Sequence, residues 1–118
     1  MTSSVVIAMR LTDMELEVMN IFWKSEIPMT AADLIEASPT RTWKETSIHV
    51  ILKTLQAKNA IVVDHYVPTT GRAAKAYKAA FTMAQYVAAR VLEFDVAIPD
   101  LLLAIAEDEK YAKKFPKE

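Results

Sequence analysis

Trp43 to Asn59, WKETSIHVILKTLQAKN, decides how the rest of the chain is read. On a helical period of 3.6, Ile48, Ile51, Leu52 and Leu55 fall on one side and form a core stripe. The opposite side carries Thr46, His49, Val50, Lys53 and Ala57, with no Asp or Glu among them. A solvated helix face usually mixes both signs of charge. This one is suited to approach something negatively charged; the plainer alternative is a surface helix that happens to lack acids.

The charge distribution along the chain favours the first reading. Net charge over all 118 residues is −1. Residues 1–40 hold two Lys/Arg and six Asp/Glu, and residues 79–118 hold five and seven. Between them, residues 41–78 hold seven Lys/Arg against Glu45 and Asp64. Positive charge is thus gathered where the organising helix lies, a field that suits a polyanion.

Composition removes other classes. The length fits one domain with a small appendage, and the 53% hydrophobic content is enough for a core. There are no cysteines, so disulfides, thiolate metal sites and thiol catalysis are excluded. A reducing compartment is compatible, and the expected location is cytoplasmic. The opening MTSSVVIAM lacks a basic start and a small-residue cleavage site and is not read as a signal peptide. No apolar run reaches the ~18 residues of a membrane span.

Four Thr-x-x-Asp/Glu/Gln starts punctuate the chain. Thr12 with Glu15 opens a helix to about Lys24, flanked by Leu11 and Leu16 as a hydrophobic staple. Thr30 with Asp33 opens a short helix to about Ala37, flanked by Met29 and Leu34. Thr42 with Glu45 is expected to open the organising helix, and Thr82 with Gln85 a fourth helix to about Phe94. Asn59 suits the left-handed position past a helix end. Ile61 to Val67 is a β-branched run with strand character, and Pro68 to Arg72 is a turn holding the single glycine. Ala74 to Lys78 is a weaker return strand. Pro99 suits the first turn of a fifth helix carrying Leu101, Leu102, Leu103 and Ile105. The tail from Lys110 onward is charged and expected to fray. The fold class is therefore mostly α with a small β-hairpin, a winged helix-turn-helix plan followed by C-terminal helices. The expected division is a tail at 1–9, a winged-helix domain at 10–80 and a helical region at 81–118. Those last residues cannot close a core alone and must pack on the first unit or on a second copy.

The residues Leu11-Thr12-Asp13-Met14-Glu15-Leu16-Glu17-Val18-Met19, Phe22-Trp23, Thr30-Ala31-Ala32-Asp33-Leu34, Trp43 through Leu55, Gly71-Arg72 and Tyr77 resemble the penicillinase-repressor family, over about residues 10–90. The resemblance implies a homodimeric, sequence-specific transcriptional repressor on a palindromic duplex DNA operator. Its third helix would read the major groove, its wing would touch backbone or minor groove, and the helices after the wing would form the dimer interface. Thr46 stands where the family often has Lys, Val50 where it has Thr, Thr54 where it has Arg, and Asn59 where it has Gly. Operator preference is not carried over. The chain also lacks the Asn-Phe bond cleaved in some members by a sensor protease, and the Cys-x-Cys pairs of the copper-responsive branch, which leaves the inducing signal open.

The DNA candidates on the recognition helix are Trp43, Lys44, Thr46, Ser47, His49, Val50 and Lys53; on the wing they are Thr70, Arg72 and Lys75. Thr, Ser and His side chains exchange hydrogen bonds with base edges, Val50 suits a thymine methyl, and Lys53 reaches guanine or phosphate. Trp43 has a second reading as a core residue. Arg72 and Lys75 are phosphate candidates. Tyr86, Val87, Val91, Phe94, Leu101, Leu102 and Ile105 are the dimerisation candidates. His49 and His65 are the only histidines, and Asp64, next to His65, is expected on the opposite strand face, so no metal site is assigned. With no Ser-His-Asp order, paired buried carboxylate or Gly-rich phosphate loop, no catalytic residue and no cofactor is assigned. The competing classes are a winged helix used as a protein-interaction module and an accessory subunit that dimerises only with another chain.

Overall fold

The computed structural model describes residues 9–116; the tail at residues 1–8 and the last two residues lie outside them. Helix α1, Asp13–Lys24, begins at a closed capping box: the Glu15 amide donates to Thr12 Oγ1 at 3.2 Å and the Thr12 amide to Glu15 Oε1 at 2.8 Å. Two orphan backbone donors are thereby satisfied at the helix start. Its inward face is Glu15, Val18, Met19 and Phe22. Helix α2, Ala31–Ala37, starts at the Thr30–Asp33 box and buries Leu34.

The third box does not form. A short 3-10 turn, Glu45–Ser47, follows Lys44, and helix α3 is Ile48–Ala57. Thr42 lies too far upstream to cap either. Its amide and hydroxyl both donate instead to the Glu17 carboxylate on α1, at 3.0 and 2.6 Å. Helix α3 buries Ile48, Ile51, Leu52 and Leu55, the stripe given by the period. It closes on Asn59 at φ 62°, with Asn59 and Ala60 amides donating to the Gln56 and Leu55 carbonyls at 3.0 and 2.9 Å. This double bond satisfies two terminal carbonyls and needs the left-handed residue between them.

Strands β1, Ile61–Val67, and β2, Ala74–Ala79, pair antiparallel from Ile61 opposite Ala79 to Val67 opposite Ala74. Gly71 in the turn does not use a positive φ. The register shifts between Val63 and His65, which leaves Asp64 unpaired in a bulge. The bulge breaks the alternation that would separate neighbours, so Asp64 and His65 meet, Oδ2 to Nδ1 at 2.7 Å, where opposite faces were expected. Met29 adds a single bridge to β2: its amide donates to the Tyr77 carbonyl at 2.9 Å, and its carbonyl accepts from the Tyr77 amide at 2.8 Å. The linker between α1 and α2 is thus tied to the hairpin, which completes a winged helix-turn-helix.

Helix α4, Met83–Val91, opens at the Thr82–Gln85 box and turns Tyr86 and Ala89 inward. The main core joins Met9, the α1 face, Leu34, Trp43, the α3 stripe, Ile61, Tyr77, Phe81 and Tyr86. It therefore draws in residues on both sides of the 10–80 span. Helix α5, Ile98–Glu107, has Pro99 in its first turn and no buried residue. Helix α6, Glu109–Lys114, capped by Asp108, occupies most of the tail expected to fray. Placing an Asp cap at its start and Lys113 and Lys114 in its last turn suits the helix dipole, which favours the helix locally.

Candidate nucleic-acid interface

The candidate interface comprises the outer side of α3 and the hairpin. Thr46, His49, Val50 and Lys53 are all exposed; Val50 shows 67% of its surface, unusual for a branched apolar side chain on a helix whose other face is sealed. Ser47 is half-buried. Lys44 is exposed just before the 3-10 turn. On the hairpin, Thr70, Arg72 and Lys75 are exposed. A groove lies between α2, α3 and the hairpin, lined in part by His49, Arg72 and Lys75 and floored by Ile35, Leu52 and Tyr77. Of the helix candidates His49 lines this groove, together with Arg72 and Lys75 of the hairpin; the other helix candidates lie outside its lining.

Trp43 does not join them. It is 3% exposed and belongs to the core, with the Arg41 guanidinium 5.1 Å above its ring. A large aromatic placed at a chain entry gains more from burial than from facing water. Arg41 is also committed: it donates to the Ser38 carbonyl at 3.1 Å and pairs with Glu45 at 3.4 Å. Thr54 turns its hydroxyl back to the Val50 carbonyl at 3.0 Å.

Ion pairing sorts the basic residues of the middle segment. Lys58 Nζ meets Glu15 Oε1 at 2.6 Å and also donates to the Arg10 carbonyl at 3.0 Å. Lys78 meets Asp64 at 3.3 Å. Among the described residues, Lys44, Lys53, Arg72 and Lys75 have no ion pair. The cations of this segment left unneutralised are therefore the four singled out as DNA candidates. Burial alone would raise the Glu15 carboxyl, but hydrogen bonds from Lys58 and from the Thr12 backbone outweigh it and hold it below the usual carboxylate range. Asp64 is likewise lowered, first by the hydrogen bond with His65 and then by Lys78.

The dimerisation candidates separate. Tyr86 faces the body of the chain: its hydroxyl accepts the Leu11 amide at 3.2 Å, and its ring stacks on Phe81 with centroids 6.2 Å apart. Val87, Phe94, Leu102 and Ile105 are exposed, with Phe94 at 71% and Leu102 at 61%; Val91 and Leu101 are half-buried. Leu92, Leu103, Tyr111 and Phe115 in the same C-terminal region are also exposed and are not among the candidates. Their signal in the sequence is the same as that of core residues, since hydropathy alone does not say which apolar side chain lacks a neighbour. Among the described residues there is no cluster of three potential metal ligands and no helix long and apolar enough to cross a membrane.

No curated protein matches the chain. The family model described as penicillinase repressor matches residues 11–114, a span that runs from the cap of α1 through α6. With the winged helix, the exposed face of α3 and the basic wing in place, the match over nearly the whole chain is decisive: the protein belongs to the penicillinase repressor family of transcriptional regulators.

Proposed function

We propose that this protein represses transcription in the cytoplasm by binding, as a homodimer, to a palindromic duplex operator. The winged helix takes the DNA and the helices after it join the two copies. Lys44, Lys53, Arg72 and Lys75 contact phosphate or guanine, while Thr46, Ser47, His49 and Val50 meet base edges, with Thr70 against the backbone beside the wing.

The observation that carries this reading is the pairing pattern. In residues 41–78 Arg41, Lys58 and Lys78 are neutralised by acids, and the cations on the α3 and wing surface have no acid partner among the described residues. Unpaired, exposed cations leave charge available for phosphate, which supplies much of the affinity for DNA. The dimer is supported by α5, which leaves Ile98, Leu102, Leu103 and Ile105 exposed and fully buries no residue among those described. Such a helix is normally covered. Two-fold symmetry in the protein then asks for two-fold symmetry in the site, with half-sites about 34–36 Å apart or a multiple of it.

The test is enrichment of duplexes from a random-sequence pool by the purified protein, with sedimentation of the free protein and of its complex. The expected result is a palindromic consensus bound by two copies. Weak, salt-sensitive binding without a consensus would instead leave the protein-interaction reading standing.

A further inference from the structure

We infer that Glu17 is a positioning residue for sequence reading, acting through Thr42 on the turn that carries Thr46. This rests on the proposed DNA-binding function and adds a residue that touches no DNA.

Two carboxylates on α1 hold the two ends of the recognition segment. Glu15 grips its far end through Lys58, 43 residues away, and Glu17 grips its near end through Thr42, 25 residues away. The two grips differ in setting. Glu15 is almost fully buried and its bond to the half-buried Lys58 is partly shielded from solvent. The Glu17 bonds are at the surface, where ion and hydrogen-bond contacts add little to stability. A bidentate contact to both the amide and the hydroxyl of one residue nevertheless fixes that residue closely. One residue later the chain plunges to the buried Trp43, and then runs through Lys44 into the Glu45–Ser47 turn, where the Ser47 amide donates to the Lys44 carbonyl at 2.8 Å. This turn has no side-chain cap of its own. With no local cap, its placement depends on the Glu17 clamp and the Trp43 anchor on its N-terminal side. Base contacts tolerate small displacements poorly, whereas phosphate contacts from long flexible cations adapt. Loosening the clamp therefore removes discrimination and spares general affinity.

The experiment uses the full chain and the duplex that the wild-type protein enriches from a random pool, with a scrambled duplex as reference at one salt concentration. Glu17→Ala is expected to lose roughly tenfold in affinity for the enriched duplex, the size of one good base contact, with no change on the scrambled one. Thr42→Val, which keeps the amide donor, should lose less. Thr42→Ser, which keeps both donors, should restore wild-type discrimination. The double variant Glu17→Ala/Thr42→Val should be no worse than Glu17→Ala, as for two members of one contact. Equal losses on both duplexes, or wild-type discrimination in Glu17→Ala, overturn the inference while leaving the repressor reading intact. If Glu17→Ala fails to fold, Thr42→Val with wild-type discrimination overturns it by itself. A wild-type protein that enriches no duplex overturns the proposed function, and this inference with it.

Discussion

Helices α3 and α5 are each ten residues long, and they use their apolar side chains in opposite ways. Helix α3 buries four residues and packs against α1, α2 and β1. Helix α5 is the more apolar of the two and buries none. The difference is one of position in the chain. Helix α3 lies between a helix that precedes it and a hairpin that follows it, and both fold back over its stripe. Helix α5 comes after Phe81, Tyr86 and Ala89 have joined the core, contributes no residue to it, and packs mainly on α6. Hydropathy sets the need for burial; topology decides which part of the assembly meets it.

The largest expected effect lies on the α3 side of the contrast. Leu52→Ala should cost about 2–5 kcal/mol in urea unfolding, since it leaves a cavity at a site only 2% exposed. A loss as small as that of an exposed substitution would break the comparison, because it would mean α3 is no better buried than α5.

Next comes the grip that holds the end of α3. Lys58→Ala should cost about 1–3 kcal/mol by leaving Glu15 buried with one partner fewer. The same pair has a pH signature. The folded Glu15 carboxyl lies below its ordinary value, so the stability it contributes is present above the ordinary carboxyl range and is lost as pH falls through the lowered folded value. Acid titration of unfolding should show this loss in the wild type and a smaller one in Glu15→Gln. Equal acid slopes would separate the pair from the stability of the body.

On the α5 side the expected cost to the body is small. Leu102→Asp/Ile105→Asp should change the urea stability of the winged helix by no more than about 0.5 kcal/mol, as exposed substitutions do. Sedimentation at micromolar concentration should nonetheless find monomers, if the apolar arm forms an interface of about 800 Å² per partner. A wild-type protein that is itself monomeric would show that α5 is covered by something other than a second copy.

The smallest effect on the fold belongs to the wing. Arg72→Ala and Lys75→Ala should leave unfolding unchanged and weaken binding about equally on all duplexes. Each should lower the log–log salt slope by roughly 1. An unchanged slope would take that residue off the DNA surface.

Much of this architecture was legible because its causes are local. A capping box spans four residues, so Thr12, Thr30 and Thr82 announced their helices by themselves. The 3.6 period exposed the α3 stripe, and Asn59 marked the left-handed stop. The outer face of α3 and the basic wing follow from the same period and from the hairpin turn. What the chain order could not reveal depends on partners far along the sequence. Thr42 matched a capping pattern, but its hydrogen bonds go to Glu17 across 25 residues. Trp43 could serve DNA or core until the body packed around it, and Tyr86 joined the core once Trp23 and Phe81 stood beside it. The bulge at Asp64 changed which faces meet by shifting the register of a pairing between distant strands. Sequence alone therefore determined where helices start and which side of each is apolar, since those are set by neighbours within about two turns. Only the tertiary structure decided which cations remain unpaired and which apolar faces remain uncovered, because each depends on whether a distant residue arrives to meet it.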